Sequence, residues 1–186
     1  MIRRYGAAAL VMITAACAST PPATTEEPQP QPPAASPAPT PAPWNGPMLS
    51  SAAVPSAYVA EWRKAANRDS CALIAPADLG VGRTATARAA TFSGGWAVAY
   101  DMPDVRSAFG IAGTGSRASD PSYDAWPHRI QFADGSTAGY GPEGGTGPNQ
   151  LAYLRIAGQT CLYNVWSRFG RTHLETLLSD LRFVRP

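Results

Sequence analysis

Cysteine and histidine are scarce in this chain, with 3 Cys and 2 His among 186 residues. There is no Cys-x-x-Cys, which removes the usual dithiol redox motif and the zinc ribbon. His128 and His173 show no His-x-x-x-His spacing, so no zinc signature is present and no metal or cofactor is implied. Lysine is nearly absent: Lys64 stands alone among arginines, and 15 Lys+Arg against 13 Asp+Glu leave a formal net charge of only +2. No basic block forms, which argues against nucleic acid as a partner. The longest apolar run, residues 7–16, is broken only by Thr14 and falls well short of the roughly 20 residues that cross a bilayer.

Motifs for common chemistries are missing as well. Residues 141–148 are Gly-rich but lack the Gly-Lys-Ser/Thr ending of a phosphate loop. Pro142 and Pro148 remove two backbone donors, and Glu143 would repel phosphate. Thr91 replaces the first glycine of a nucleophile elbow, so Ser93 reads as a turn residue. Asp101 with Asp104, and Asp120 with Asp124, sit beside Pro103 and Pro121, as ordinary turn acids do, and no calcium loop surrounds them.

Proline is abundant, at 19 residues. Residues 19–47 are dominated by Pro, Ala, Thr and Gln, with Glu26 and Glu27 their only charges. Such a stretch buries too little apolar surface to offset chain entropy. Its proline repeats favour a semi-rigid polyproline II spacer that reaches on the order of 90 Å when extended. Residues 48–186 are expected to form one globular domain.

Residues 1–17 carry a basic start (Arg3, Arg4), the apolar run and small residues before Cys17. That is the plan of a removable secretion signal. Thr14-Ala15-Ala16-Cys17 resembles the signal of bacterial lipoproteins, although Thr14 stands where leucine is commonest. The resemblance implies cleavage after residue 16 and a lipid on Cys17; the other reading is an ordinary signal peptide cut after Ala16 or Ala18, which leaves a soluble periplasmic protein. Ala18, rather than Asp, implies the outer membrane, with the protein facing the periplasm. The division expected is therefore signal 1–16, anchor and linker 17–47, and domain 48–186. In an exported chain, the remaining pair Cys71 and Cys161 is most simply a disulfide, whose closure stabilises by about 4 kcal/mol in the chain-entropy account.

Within the domain, residues 56–67 are expected to form a helix capped by Ser56, with Tyr58, Val59 and Trp62 on one face. Hairpins are expected around Gly94-Gly95, Asp134-Gly135 and Gly158-Gln159. Val105 to Ala112 reads as a further strand, with residues 113–116 beginning a loop. In the final helix, Thr172 and Glu175 suggest a capping box, and Leu174, Leu177, Leu178 and Leu181 an apolar stripe. The fold class is α+β: a mostly antiparallel sheet of hairpins with an N-terminal and a C-terminal helix in a two-layer sandwich with one disulfide. A more closed barrel is the alternative.

Residues 116–127 and 141–149 are long for hairpin connections, and long loops on a stapled scaffold often carry binding. Tyr123, Trp126, His128 and Tyr140 lie in or beside them and are the candidate partner-binding residues. The other reading has Trp126 and Tyr140 simply covering the sheet edge. His173 reads as a solvated helix-start residue. The function expected is a tethered, non-catalytic binding domain for a periplasmic protein or cell-wall partner. The alternatives are a lipid or sugar carrier, or an envelope hydrolase using His128 as base.

Overall fold

A computed structural model describes residues 38–186, apart from residues 82, 83, 93, 121–124, 146 and 148. Cys17, Tyr123 and Ser93 lie outside the described residues.

The chain builds β1 (Leu49–Ser50), α1 (Ser56–Lys64), β2 (Ile74–Pro76), β3 (Thr86–Ala89), β4 (Trp96–Met102) and β5 (Val105–Arg117). It continues with β6 (His128–Gln131), β7 (Thr137–Pro142), β8 (Gln150–Arg155), β9 (Cys161–Ser167), α2 (Gly170–Ser179) and β10 (Leu181–Arg185). This is an α+β fold. Two antiparallel meanders, β3–β5 and β6–β9, join through β5 and β9 into a 7-stranded sheet of order β3-β4-β5-β9-β8-β7-β6. A 3-stranded sheet of order β1-β10-β2 stands beside it. There β10 runs parallel to β1 and antiparallel to β2. Among the described residues the outer strands β3 and β6 do not pair, so the large sheet is open rather than a closed barrel.

Strand alternation sorts the large sheet into two faces. On one face Trp96, Val98, Phe109, Ile111, Tyr163, Val165 and Leu154 belong to a single buried cluster. Tyr58 of α1, Leu174, Leu177 and Leu178 of α2, and Ile74, Leu181 and Val184 of the small sheet complete it. Tyr100 stacks on Phe109 with ring centroids 4.7 Å apart. The Cys71–Cys161 disulfide, with Cα atoms 5.3 Å apart, ties the segment after α1 to the start of β9. Tyr163 Oη donates to Ala72 O at 2.9 Å and Ala72 N donates to Gln159 Oε1 at 2.8 Å, reinforcing the same junction.

Several elements differ from the sequence reading. Helix α1 ends at Lys64 because Ala65 turns to extended backbone (φ −68°, ψ 136°). Its N-cap is Pro55, which offers no side-chain oxygen, and Ser56 lies inside the helix. Helix α2 starts at Gly170, whose φ of +82° suits glycine, so Thr172 is not a cap. Leu181 leaves the helix stripe and joins β10 with Phe183 and Val184. β5 runs on to Arg117, so residues 113–116 are strand. The folded part also takes in residues ahead of Met48. Trp44 is 2% exposed, packs edge-on against Phe132 and donates from Nε1 to Asp134 Oδ2 at 2.8 Å. Thr40 bridges to Phe132 at the end of β6, occupying part of a sheet edge.

Candidate functional site

The second face of the large sheet carries the chemistry that the helices leave uncovered. Cross-strand register lays two rows of side chains across it. One row runs Ala99, Gly110, Trp166, Leu151, Gly141. Beside it runs Ala97, Ala112, Asn164, Tyr153, Gly139. Small residues on β4 and β5 meet large ones on β9 and β8, and small ones return on β7. Each glycine makes room for a ring. A Cβ on Gly110 would fall 2.2 Å from Trp166 Cζ2, so the indole lies directly over that backbone. A Cβ on Gly139 would stand 3.2 Å from Trp126, and one on Gly141 2.5 Å from Pro127.

Over the middle of this face lies an open groove of about 540 Å³. Asn164, Trp166, Leu151 and Tyr153 line it from the strands, with Thr91 and Phe92 from the β3–β4 connection on one side. Glu143 and Asn149, from the connection between β7 and β8, line it too, together with Ser107 and Arg168. Phe92 is 36% exposed, one of the few large apolar side chains turned to solvent. Asn164 is 7% exposed and lines the groove with Trp166, and neither side chain is among the described polar groups sealed from solvent without a partner, which are those of Tyr58, Asn67 and Trp96. A carboxamide that lines an open groove can both donate and accept hydrogen bonds there.

Ser107 adds a strained backbone to the same wall, with φ +50° in a residue that is not glycine. Two groups hold it there. Ser107 N donates to Asp101 Oδ1 at 2.7 Å, and Arg88 bridges Asp101 Oδ2 (2.9 Å) and the Ser107 hydroxyl. The Ser107 N–H, and then Arg88, hold the Asp101 carboxyl below the usual range against the opposing effect of desolvation. Asp101 is therefore a structural acid committed to the β4–β5 bend.

The candidates named from sequence separate onto opposite faces. Trp126 lies on the groove side, half-buried over Gly139, with its ring 5.5 Å from that of Tyr153. His128 and Tyr140 lie on the helix side, their rings 5.3 Å apart. Tyr140 is 7% exposed and donates from Oη to Glu175 Oε1 at 2.7 Å. Burial, then the Glu175 carboxylate, push its hydroxyl pKa up to about 12. Arg171, which can only donate, points Nη1 at His128 Nε2 at 3.4 Å, so that nitrogen accepts. Glu175 also faces Arg171 at 3.5 Å, so it ties α2 to β7 and does not reach back as a cap.

His173 is not solvated. It is 8% exposed, because its spacing to Leu177 places it on the buried side of α2. Nε2 lies 2.8 Å from Leu79 O, a carbonyl that can only accept, so Nε2 carries the hydrogen. Nδ1 then accepts from the Ser167 hydroxyl at 2.8 Å, and Ser167 Oγ accepts from Phe169 N at 3.0 Å. Burial lowers the His173 pKa, against the Leu79 bond, which favours the charged ring. This Ser–His pair is satisfied at every atom and Ser167 is 1% exposed, so it fastens structure and is no nucleophile for an outside substrate.

Among the described residues, no group of three or more His, Cys, Asp or Glu could hold a metal ion, and no helix is long and apolar enough to cross a membrane. Sequence reasoning passed over Asn164, Trp166, Asn149 and Phe92. The signal was present in Gly110, Gly139 and Gly141, glycines inside strands that mark close approach of another group. No family model, no curated protein and no solved structure matches this chain.

Proposed function

We propose that this protein is a lipid-anchored component of the bacterial envelope, acylated on Cys17 and facing the periplasm from the outer membrane. Its folded domain binds an envelope partner without catalysis, through the groove on the second face of the large sheet, and that partner is the cell wall. The observation that carries this reading is the lining of the groove, where Asn164 and Asn149 stand among Trp166, Tyr153 and Phe92. A stable interface with a protein covers about 800 Å² per partner, whereas a groove of this size suits a narrow chain or a small ligand. The proline-rich segment supports the same reading: with Thr40 and Trp44 held by the domain, the spacer ahead of them still reaches on the order of 60 Å when extended, which lets the domain work away from its membrane.

A sugar carrier would use the same groove. A lipid carrier has less support, because the apolar cavity between the helices and the sheet is about 10 Å³. The hydrolase reading has less support, because His128 Nε2 faces Arg171 Nη1 at 3.4 Å and its ring stands beside Tyr140 on the helix side, away from the groove. A photoreactive amino acid at Thr91, exposed on the groove rim, tests the assignment in living cells. Adducts that disappear on digestion of the wall support it. A discrete protein adduct replaces the wall with a protein partner, and no adduct removes the groove from the function. Cys17→Ser tests the anchor separately: the protein leaves the membrane fraction if Cys17 bears the lipid, and stays there if it does not.

A further inference from the structure

The groove's side chains select among wall components. We infer that they bind a saccharide, an uncharged or weakly charged run of sugar rings, and not the peptide part of the wall. This inference rests on the reading of the groove as the binding surface.

Three features carry it. The first is aromatic surface. Trp166 and Tyr153 line the floor and Phe92 the rim. A pyranose ring presents one face of C–H bonds that covers an aromatic ring, while its hydroxyls point outward. Aromatic side chains offer large, rigid contact area with little rotamer freedom to lose. The second is the set of polar groups. Asn164 and Asn149 each supply a carbonyl acceptor and an NH₂ donor, which matches two neighbouring hydroxyls, one giving and one receiving a hydrogen. The Trp166 indole adds an N–H donor to the lining. The third is charge. Glu143 and Arg168 are the groove's ionised residues and they cancel, so the site offers no net attraction to a phosphate or to an acidic peptide.

Asn164 distinguishes a binding group from a packing one. Leu is close to Asn in size, so Asn164→Leu removes the hydrogen-bonding groups from the groove without opening a cavity. Asn164→Leu should therefore hold the thermal midpoint while weakening sugar binding. A structural asparagine would behave in the opposite way on the first count.

The test is calorimetric titration of the full mature protein with the linear tetramer of N-acetylglucosamine, alongside Asn164→Leu and Asn149→Ala. Saturable binding to the wild type, about tenfold or more weaker in Asn164→Leu and weaker in Asn149→Ala, both at an unchanged midpoint, is the expected result. The inference is overturned by equal binding in the variants, or by loss of binding together with a lowered midpoint in Asn164→Leu. If the wild type ignores the tetramer but still sediments with isolated cell walls, the saccharide assignment fails while wall binding stands. If it does neither, both fail.

Discussion

Gly110→Ala is the sharpest test of how the second face is built. The added Cβ would stand 2.2 Å from Trp166 Cζ2, 2.5 Å from Trp166 Cη2 and 2.5 Å from Val98 O. The indole can swing aside, at the cost of its contact with the sheet. Val98 O cannot, because it is backbone inside β4, which pairs with β3 on one side and β5 on the other. Gly110 does not need the left-handed region, so alanine adds no dihedral strain and the effect is steric. Overpacking of a filled site costs about 1–3 kcal/mol, and a backbone obstacle places this case at about 2–3 kcal/mol. For a domain of this size, that lowers the thermal midpoint by roughly 5–10 °C. Urea unfolding followed by far-ultraviolet circular dichroism measures it. Trp166→Ala in the same chain should recover part of the loss, since it clears the indole but leaves Val98 O in place, and a double-mutant cycle isolates that share. A change below about 0.5 kcal/mol on Gly110→Ala, the range of an ordinary surface substitution, would refute the close approach of ring and backbone.

Further outcomes follow from other junctions. Reducing Cys71–Cys161, or replacing both with Ala, should lower stability by about 4.5 kcal/mol for closure of a loop spanning 90 residues, read from the guanidinium midpoint with and without reductant; equal midpoints would contradict it. His173 has a folded pKa below its unfolded value of about 6.5, so the unfolded chain takes up the proton first and stability falls as pH drops below about 6.5. Urea midpoints between neutral and mildly acidic pH should show that slope in the wild type and lose it in His173→Gln; a slope shared by both would contradict it. Asp134→Ala removes the acceptor of the Trp44 N–H (2.8 Å) and of Ser136 N (2.9 Å), and should cost about 1–3 kcal/mol while speeding hydrogen exchange at Thr40 N. Burial alone would raise the Asp134 pKa, but those two donors outweigh it and lower it, so their stabilisation is lost as acid protonates the carboxyl.

What could be read from sequence was local. The Asp134-Gly135 and Gly158-Gln159 hairpins stand where turn chemistry put them, with Gly135 at φ +89° and Gly158 at +81°. The two cysteines after Cys17 met as expected. What escaped depended on partners distant in sequence. Trp44 sits in a proline-rich stretch whose composition suggests a spacer, yet Asp134 and Phe132 hold it. Gly113 and Gly115 look like loop residues until β5 is seen crossing close to other groups, where a Cβ on Gly113 would lie 2.5 Å from Cys71 Sγ. His173 was legible in principle, because its four-residue spacing to Leu177 places it on the buried stripe. The groove was not, because Asn164, Trp166 and Asn149 come together only once β9 lies beside β8, and no short motif records that pairing.

The central claim is that the domain binds the cell wall through Asn164 and Trp166. Co-sedimentation of the mature protein with purified wall sacculi, wild type against Asn164→Leu, tests it most directly. The account predicts that the wild type pellets in a saturable manner and that the variant, equally folded, stays in the supernatant. A wild type that remains soluble, or a variant that pellets as well, would contradict it.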